Sequence, residues 1–423
     1  MKIFACPVGR GRRRGRRGRA PVLLLGLLTV ALGVPASAAA NHVVAWGGDE
    51  YGQLGNGVKE PAGPPAFVQG LVEPVAVAAG HHDSFALLGN GTVEAWGSNE
   101  SGALGDGTEG GTSAVPVAVK GLTEVTQVAA GSNYALALLR NGTVMSWGYN
   151  QFGQLGDGLE ASSSVPVQVK GLTEVTQISA GRRFALALLR DGTVRMWGYN
   201  GPANEGGELG IGTNIGPEIC PFGNHETTYC SRTPVKPIEL SGVTAVSGGD
   251  THSLALLGNG EVESWGANSF GELCLGTKAK TGSHKHRSYV PRHVPGLTGA
   301  AGVAAGNKYS LVLLRNGTAL GCGKNKHGEL GDGTYKTKKS PSPVAGLTGA
   351  VAISASAGEE AGEDHSLALL SDGKVMGWGS NSTKQLGVGI PAKIDAPVQL
   401  PGLSAIKSIS ASGTAHSLAL TGE

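Results

Sequence analysis

Beyond residue 40, two segments of the chain are rich in lysine, arginine and histidine side chains. They are TKAKTGSHKHR, residues 277–287, and the stretch around YKTKK, residues 335–339. Both follow the same glycine-rich turn in neighbouring sequence repeats, so we expect them on one side of the molecule. Clustered cations attract anions and acidic protein surfaces, which predicts a binding patch; the alternative is an ordinary solvated charge run. The residues of this predicted patch are Lys278, Lys280, His284, Lys285, His286, Arg287, Lys324, Lys326, Lys336, Lys338 and Lys339.

Catalytic constellations are missing from the sequence. It contains no nucleophile elbow, phosphate-binding glycine loop, zinc-ligand spacing or paired catalytic carboxylates in a supporting context. The ligand-type residues at 81–83 (HHD) are adjacent on a strand and point to opposite faces, so they do not converge on one ion. Asp106, Asp157 and Asp332 each stand in an L-G-D-G turn and are interpreted as turn formers. The sequence predicts a protein that is not an enzyme and that holds no cofactor or metal.

The first forty residues have the pattern of a targeting segment. Seven arginines lie between Arg10 and Arg19, an apolar run follows from Val22 to Val34, and small residues occupy positions 36–40. This predicts a signal peptide over residues 1–40, cleaved after Ala38 or Ala40, with Sec and twin-arginine export both open. The apolar run is short for a membrane span, so we expect a secreted protein without a stable membrane anchor.

Removal of this segment changes the charge of the chain. It holds eight of the 34 basic residues and none of the 32 acidic ones, so the mature chain has 26 basic residues and a net charge of −6. An acidic chain is a poor partner for a polyanion, and no nucleic acid binding is expected.

The cysteine count suits an oxidising compartment. Cys6 belongs to the targeting segment, which leaves four cysteines in the mature chain. Cys220 and Cys230 lie close together in one loop and are expected to form a disulfide. Whether Cys274 and Cys322 pair is left open.

A phrase of the form W-G-x-N-x-x-G-x-L-G recurs along the chain at spacings of 50 to 68 residues. Recurrence at such a period is typical of stacked supersecondary units. With one cysteine, Cys322, in place of the aromatic residue, the phrase occurs seven times. The six tryptophans of the protein all stand at its first position: Trp46, Trp96, Trp147, Trp197, Trp265 and Trp378.

Each repeat reads as four short strands. Between Pro116 and Trp147, four β-rich runs are separated by turns, and no stretch has a sustained helical period. An Asn-Gly or Asp-Gly pair, such as Asn141-Gly142, separates the third and fourth runs and predicts a two-residue type I′ turn. A second phrase, A-G-x-x-x-S-L-A-L-L, precedes this turn; its glycines are read as Gly80, Gly131, Gly181, Gly249, Gly306, Gly362 and Gly413. The fold class is therefore all-β, with four-stranded antiparallel blades.

The two ends of the mature chain complement each other. Residues 42–47 match only the last strand of a repeat, whereas the last repeat ends near Leu420 without that strand. Pairing of these segments would close a ring and leave no open sheet edge. Residues 41–423 are thus predicted to form one seven-bladed propeller, with a long inserted loop at 200–234.

The paired phrases, most clearly AAGSNYALALLRNGTVMSWGYNQFGQLGDG, resemble the repeat of the regulator of chromosome condensation family. The resemblance covers essentially residues 41–423 and implies a seven-bladed propeller with a clasped last blade. The family often has a histidine before the S-L-A-L run, and we interpret that position as a hydrogen-bonding strand residue and not a catalytic one. Here it holds Asp83, Tyr134, Phe184, His252, Tyr309, His365 and His416.

Three functions are compatible with these features. The first is a secreted, non-enzymatic and monomeric scaffold whose blade-connecting loops bind a protein or other macromolecule. The second is guanine nucleotide exchange on a GTPase with chromatin association, which the family resemblance implies but which export would oppose. The third is inhibition of a secreted hydrolase such as a β-lactamase.

Overall fold

The computed structural model describes residues 41–202, 206–222, 226–276, 287–358, 363–387, 389–413 and 415–422. Within these ranges the chain forms β-strands and one short 3-10 turn at Glu100–Gly102. None of the described residues lies in a helix long and apolar enough to cross a membrane.

The strands form seven antiparallel sheets, each one blade of a propeller. We number the blades from the first one that is continuous in sequence. Blade 1 contains β3 (Pro74–Ala79), β4 (Asp83–Leu88), β5 (Val93–Ser98) and β6 (Thr112–Ala118); blade 2 contains β7 (Val125–Ala130), β8 (Tyr134–Leu139), β9 (Val144–Gly148) and β10 (Ser163–Gln168). Blade 3 contains β11 (Val175–Ala180), β12 (Phe184–Leu189), β13 (Val194–Pro202), β14 (Glu218–Phe222) and β15 (Glu226–Val235); blade 4 contains β16 (Val243–Gly248), β17 (His252–Leu257), β18 (Val262–Ala267) and β19 (Arg287–His293). Blade 5 contains β20 (Ala300–Ala305), β21 (Tyr309–Leu314), β22 (Ala319–Gly323) and β23 (Lys338–Pro343); blade 6 contains β24 (Ala350–Ala355), β25 (His365–Leu370), β26 (Val375–Ser380) and β27 (Lys393–Gln399). Blade 7 contains β28 (Ile406–Ala411) and β29 (His416–Thr421) from one end of the propeller sequence, and β1 (His42–Asp49) and β2 (Glu60–Phe67) from the other.

The predicted closure of the ring by residues 42–47 is confirmed in blade 7. The prediction that this segment is the last strand of its blade was wrong, because β2 follows β1 as the outer strand. Strand β1 pairs with β29 from His42 opposite Thr421 to Gly47 opposite His416, and it pairs with β2 on its other side. Because β1 has a partner on both edges, the ring has no free edge at the seam.

The hairpin turns differ from the predicted type I′ form. In blade 2, the amide of Leu139 donates to the carbonyl of Thr143, and the amide of Gly142 donates back to Leu139. Gly142 alone has a positive φ, +81°, whereas Asn141 keeps a negative one. The turn is therefore a three-residue loop in which glycine takes the left-handed position, and Asn141 instead accepts a hydrogen bond from the amide of Thr143. The prediction of a two-residue turn was wrong.

The glycine position of the second phrase also needs a correction. Its amide donates to the carbonyl of the residue that starts the second strand, as from Gly306 to Tyr309. In blades 6 and 7 the same bond comes from Ser356 and Ser412. The assignment of Gly413 to this position was wrong because blade 7 has one extra residue here; Gly362 lies outside the described residues.

The long insertion widens blade 3 to five strands. Strand β14 pairs with β15, and β15 pairs with β13, so the insertion is an antiparallel hairpin on the outer edge. The expected disulfide between Cys220 and Cys230 is present, and both cysteines are buried against Phe152.

The core lies between neighbouring blades, where the tryptophans are fully buried. Each indole N–H donates to a backbone carbonyl in the loop that joins the third and fourth strands of the preceding blade. The pairs are Trp46 with Gln385 (2.8 Å), Trp96 with Gln53 (2.8 Å), Trp147 with Ala103 (2.9 Å), Trp197 with Gln154 (2.8 Å), Trp265 with Glu208 (2.9 Å) and Trp378 with Glu329 (2.8 Å).

The junction between blades 4 and 5 is built differently. Cys322 stands at the tryptophan position, and it forms a disulfide with Cys274 of blade 4. Its Sγ lies 3.6 Å from the carbonyl oxygen of Glu272, the atom that an indole would contact at the other junctions. A disulfide sulfur has no proton to donate, so a covalent bond replaces the hydrogen bond at this junction.

The three described histidines at the recurring strand position act between blades. Nε2 of His252 lies 2.8 Å from Oγ of Ser310 in the next blade, and that hydroxyl donates to the carbonyl of Glu272 at 2.7 Å. Since the hydroxyl proton is used there, Nε2 of the histidine is the donor. His365 with Ser417 and His416 with Ser84 repeat the arrangement at 2.8 Å. The interpretation of these histidines as hydrogen-bonding strand residues is confirmed.

Candidate functional site

Two loops of each blade lie at the same end of the propeller. In a four-stranded antiparallel blade, the loop after the first strand and the loop after the third strand must share an end. Backbone hydrogen bonds join the two loops directly, as from Tyr149 to Asn133 and from Lys324 to Lys308, both at 2.8 Å. We call this end the loop face. The Asn-Gly and Asp-Gly hairpins lie at the opposite end.

A pocket of about 340 Å³ opens on the loop face between blades 3, 4 and 5. We call it the inter-blade pocket. It combines charged groups of both signs with aromatic rings, and its charged and aromatic lining residues are Arg182, Arg183, Tyr199, Glu208, Asp250, Phe270, Glu272, Arg287 and Lys308.

The cations of this pocket are held by aromatic rings and one ion pair. Arg182 forms an ion pair with Asp250 of the next blade, with Nη1 and Oδ1 3.1 Å apart. The guanidinium of Arg183 lies 5.3 Å from the ring centre of Phe152 and 6.0 Å from that of Tyr199. Burial beside Arg182 lowers the pKa of Arg183, yet an arginine remains protonated. These contacts fix the guanidinium groups without removing their charge.

Lys308 supplies the cation on the blade 5 side. Its Nζ lies 6.0 Å from the ring centre of Phe270, which belongs to the loop of blade 4. Arg287 begins the outer strand of blade 4 and brings a further cation to the pocket. The pocket thus receives basic side chains from three consecutive blades.

Two buried glutamates also line the pocket. Glu208 is 2% exposed, and its Oε2 has no hydrogen-bond partner among the described residues. Burial and, to a smaller extent, the nearby Asp250 raise the pKa of Glu208 to about 8 against the opposing effect of Arg287. Burial raises the pKa of Glu272 to about 7, although its carboxylate accepts from the amides of Phe270 and Ser269. Both carboxyl groups are therefore partly or largely protonated at neutral pH.

These glutamates occupy a fixed place in the repeat. The residue before the L-G step is glutamine at Gln53, Gln154 and Gln385, where the side-chain oxygen accepts a backbone N–H of its own turn, as from Phe152 to Gln154 at 2.8 Å. In blades 3, 4 and 5 a glutamate replaces it. The exchange of glutamine for glutamate in three consecutive repeats is the sequence signal that could have drawn attention to this pocket.

The third of these glutamates belongs to a separate charged cluster. Ligand atoms of His327, Glu329 and Asp364 lie within 4.8 Å of one another, a spacing that would suit a metal. Nζ of Lys324, however, lies 2.5 Å from Asp364 and 3.8 Å from Glu329. The ammonium group takes the place of a cation there, so we interpret the cluster as an ion-pair network.

The residues of the predicted basic patch lie in different settings. Lys278, Lys280, His284, Lys285 and His286 lie outside the described residues, and Arg287 lines the inter-blade pocket. Lys324 is paired as above, and Lys338 pairs with Asp332 at 3.0 Å. Lys326, Lys336 and Lys339 are exposed. The amide of Gly276, just before the first basic segment, donates to the carbonyl of Lys339 at 2.8 Å. The structure therefore places Gly276 beside the second segment, and the patch itself stays a prediction.

The L-G-D-G aspartates act within their turns. Asp106 accepts from the amide and the hydroxyl of Thr108, and Asp332 does the same with Thr334. These bonds lower the pKa of both aspartates against the effect of burial. The interpretation of these residues as turn formers is confirmed for both.

The central channel, of about 370 Å³, is lined by the first strand of every blade. Its described lining carries no charged side chain. Its polar side chains bridge neighbouring strands: Gln127 bonds to both backbone groups of Ile178, and Ser247 accepts from the amide of Ala305. We therefore assign the channel a structural role.

Comparison with known proteins assigns the family. Residues 42–361 match the RCC1-like domain, and residues 360–385 match the regulator of chromosome condensation repeat. The chain is 30% identical to the Ultraviolet-B receptor UVR8 of Arabidopsis thaliana over 405 residues, which are 91% of this chain and 74% of that protein. The chain belongs to the RCC1-like family of seven-bladed propellers.

Other relatives differ in length. The Secretion-regulating guanine nucleotide exchange factor of Bos taurus is 30% identical over 92% of this chain and 84% of its own length. The E3 ubiquitin-protein ligase HERC2 of Homo sapiens is also 30% identical over 91% of this chain, but the match spans only 8% of that protein.

Among solved structures, Prp20p from Saccharomyces cerevisiae superposes with a TM-score of 0.73 at 23% identity and covers 91% of this chain and 92% of that one. At this identity the likeness shows the fold alone.

Proposed function

We propose that the protein is an exported, non-enzymatic scaffold that binds a protein partner through the loop face. The observation that carries this proposal is the inter-blade pocket, which loops of three blades form on a closed and rigid ring. Binding residues are often placed on loops that a rigid scaffold positions. Arg182, Arg183 and Glu272 are held in place by an ion pair, by ring contacts and by turn contacts, respectively, and charged groups fixed in this way suit recognition.

The family supports binding as the activity. The solved structure of Prp20p is described together with its binding properties to Gsp1p and histones, which are proteins. A second structure of that fold is described in complex with Kap60. For the present chain, a protein partner is therefore the first choice of ligand.

Export rests on the sequence of residues 1–40, which lie outside the described residues. The two disulfides agree with it, because both join cysteines of the mature chain and disulfides persist in oxidising compartments. Amino-terminal sequencing of protein recovered from the medium should begin at residue 39 or 41. Recovery in cells only, with Met1 retained, would contradict export.

The binding proposal is tested by capturing partners from the medium with matched variants. Lys308→Gln changes the loop face, and Arg140→Gln removes an exposed charge beside a hairpin turn at the opposite end. We expect a partner that the wild type and Arg140→Gln retain equally and that Lys308→Gln loses in part. Equal capture by all three proteins would place binding away from the inter-blade pocket, and no specific capture by the wild type would contradict the scaffold proposal.

Guanine nucleotide exchange is the second candidate, because a relative named for this activity matches over 84% of its length. Release of a fluorescent GDP analogue from purified small GTPases tests it. Acceleration by the purified propeller that Lys308→Gln or Arg183→Gln weakens would favour exchange over scaffolding. An unchanged release rate across the GTPases tested counts against it.

A further inference from the structure

We propose that the inter-blade pocket binds a carboxylate group presented by an acidic segment of the partner protein. This inference rests on the proposed function and specifies its chemistry. Its basis is that four cationic side chains from three blades line one pocket, whose lining also holds a buried carboxyl oxygen without a hydrogen-bond partner among the described residues.

The cations of the pocket come from three consecutive blades. Blade 3 supplies Arg182 and Arg183, blade 4 supplies Arg287, and blade 5 supplies Lys308. Arginine presents a planar set of donors that matches the two oxygens of a carboxylate. Lysine adds a mobile point charge beside them. The arrangement suits an anionic group with oxygen acceptors.

The acidic groups of the pocket do not cancel these charges. Asp250 neutralises Arg182 through its ion pair. Glu208 and Glu272 are buried where the charged form is disfavoured, and the raised pKa of each keeps part of the population neutral near pH 7. The four basic side chains of the described lining outnumber its three acidic ones. This lining therefore has a net positive charge, within a mature chain of net charge −6.

Glu208 gives the pocket a donor as well as an acceptor. Its Oε2 has no partner among the described residues, and a protonated carboxyl group can donate through this atom. A carboxylate from outside would accept that hydrogen bond.

The size of the pocket fits a side chain. A volume of about 340 Å³ is about ten times the share of one water in the liquid. One or two acidic side chains fill such a space, and the rings of Phe270 and Tyr199 offer apolar surface to their methylene groups. A folded element does not fit.

Fluorescence anisotropy of a fluorescein-labelled acetyl-hexaglutamate amide, with the folded propeller at low salt, tests the proposal. We expect binding that a hexaglutamine peptide does not reproduce, and that weakens at least tenfold in Arg183→Gln and in Lys308→Gln. Arg140→Gln should stay within twofold of the wild type. A thermal melt of each variant excludes loss of the fold as the cause.

Two further arms separate the alternatives. A Lys336→Gln/Lys339→Gln variant tests the exposed basic patch. If only this variant weakens peptide binding, the pocket proposal is wrong, and the proposal of binding through the loop face is unaffected. Inorganic phosphate that displaces the peptide at concentrations where acetate does not would also overturn the choice of carboxylate. A hexaglutamate peptide with a free C-terminus that binds much more tightly than the amide would assign the pocket to a chain terminus instead of an internal segment.

Discussion

Cys322 and Cys274 form a disulfide at the blade junction where Cys322 stands in place of the recurring tryptophan. The other six junctions have an indole N–H bonded to a carbonyl of the preceding blade at 2.8 to 2.9 Å. The same junction borders the inter-blade pocket, because Glu272 and Phe270 precede Cys274 in its loop. A covalent link therefore holds blades 4 and 5 together beside the candidate site.

Removal of this disulfide should destabilise the ring more than removal of the other one. Cys274 and Cys322 are 48 residues apart and join two blades, whereas Cys220 and Cys230 are 10 apart in an edge hairpin. Loop-closure entropy gives about 4 kcal/mol for the first and about 3 kcal/mol for the second. Unfolding in guanidinium of the two double-alanine variants measures the difference. A larger loss for the Cys220–Cys230 variant would contradict the role assigned to the inter-blade bond.

The seam should be as strong as an internal junction. Trp46 donates to Gln385 across the seam, and Trp378 donates to Glu329 within the ring, both at 2.8 Å and both fully buried. We expect Trp46→Phe and Trp378→Phe each to lower the free energy of unfolding by about 1–2 kcal/mol. Thermal or chemical unfolding compares them. A negligible effect of Trp46→Phe beside a clear effect of Trp378→Phe would mean that the ring is open in solution.

Acid should destabilise the propeller through its buried histidines. Burial lowers the pKa of His252 and His416 to about 3 and that of His365 to about 4, from an unfolded value of 6.5. The unfolded chain therefore binds more protons below pH 6.5, and stability is lost as the pH falls toward the folded-state values. His252→Gln keeps an N–H donor for Ser310 but does not titrate. Between pH 6 and 4, the free energy of unfolding of His252→Gln should fall less steeply than that of the wild type. The two slopes should differ by about 1.4 kcal/mol per pH unit.

The control for this experiment is His42→Gln, which changes an exposed histidine. A pH profile of His252→Gln that overlies the profiles of both the wild type and His42→Gln would contradict the assignment of a neutral, buried imidazole.

Glu208→Gln should stabilise the protein at alkaline pH. The pKa of this carboxyl group is about 8 in the folded state and 4.5 in the unfolded chain. Its favourable contribution is complete below pH 4.5 and is lost as the pH rises through 8, because the charged form is poorly accommodated in the folded state. Glu208→Gln has the glutamine that three other repeats have at this position. Above pH 8, its free energy of unfolding should exceed that of the wild type by roughly a few kcal/mol. Glu109→Gln, which changes an exposed glutamate, serves as the control. Equal unfolding midpoints of Glu208→Gln and the wild type at pH 9 would contradict the raised pKa of Glu208.

Peptide binding should weaken with rising pH. Glu208 faces Asp250 and Arg287, and Glu272 faces Lys308, so ionisation of either glutamate reduces the positive charge available to a carboxylate. The affinity for the hexaglutamate peptide should fall as the pH rises through about 7 to 8. Glu208→Gln should flatten this profile in anisotropy titrations from pH 6 to 9. A wild-type affinity that does not change across this range would separate the pocket from peptide binding.

The sequence was sufficient for the fold because each repeat has its own copy of the strand and turn pattern. Trp46 and Ser417 lie near opposite ends of the propeller sequence. Their pairing was predictable because the repeat at the C-terminal end lacks one strand, and the segment that contains Trp46 matches that strand. The turn at Asn141-Gly142 was predicted with the wrong type, since the dipeptide does not reveal that the preceding residue, Arg140, also belongs to the loop. The Cys274–Cys322 bond needed the structure, because pairing depends on which blades are neighbours across a junction.

The candidate site was less accessible to sequence reasoning. Arg182 and Asp250 belong to different repeats, and nothing in their local sequence shows that their side chains meet. The basic segments drew attention instead, although Lys324 and Lys338 are paired with acidic groups. The pocket arises from three blades together, so it becomes visible only after the repeats are placed side by side.

The most direct test of the account is hydrogen–deuterium exchange of the propeller with and without its captured partner. Protection by the partner should concentrate on the loop face of blades 3 to 5, at residues 182–183, 199–202, 267–272 and 307–308. Protection confined to the hairpin turns at the opposite end, such as residues 140–142 and 190–192, would contradict binding through the loop face.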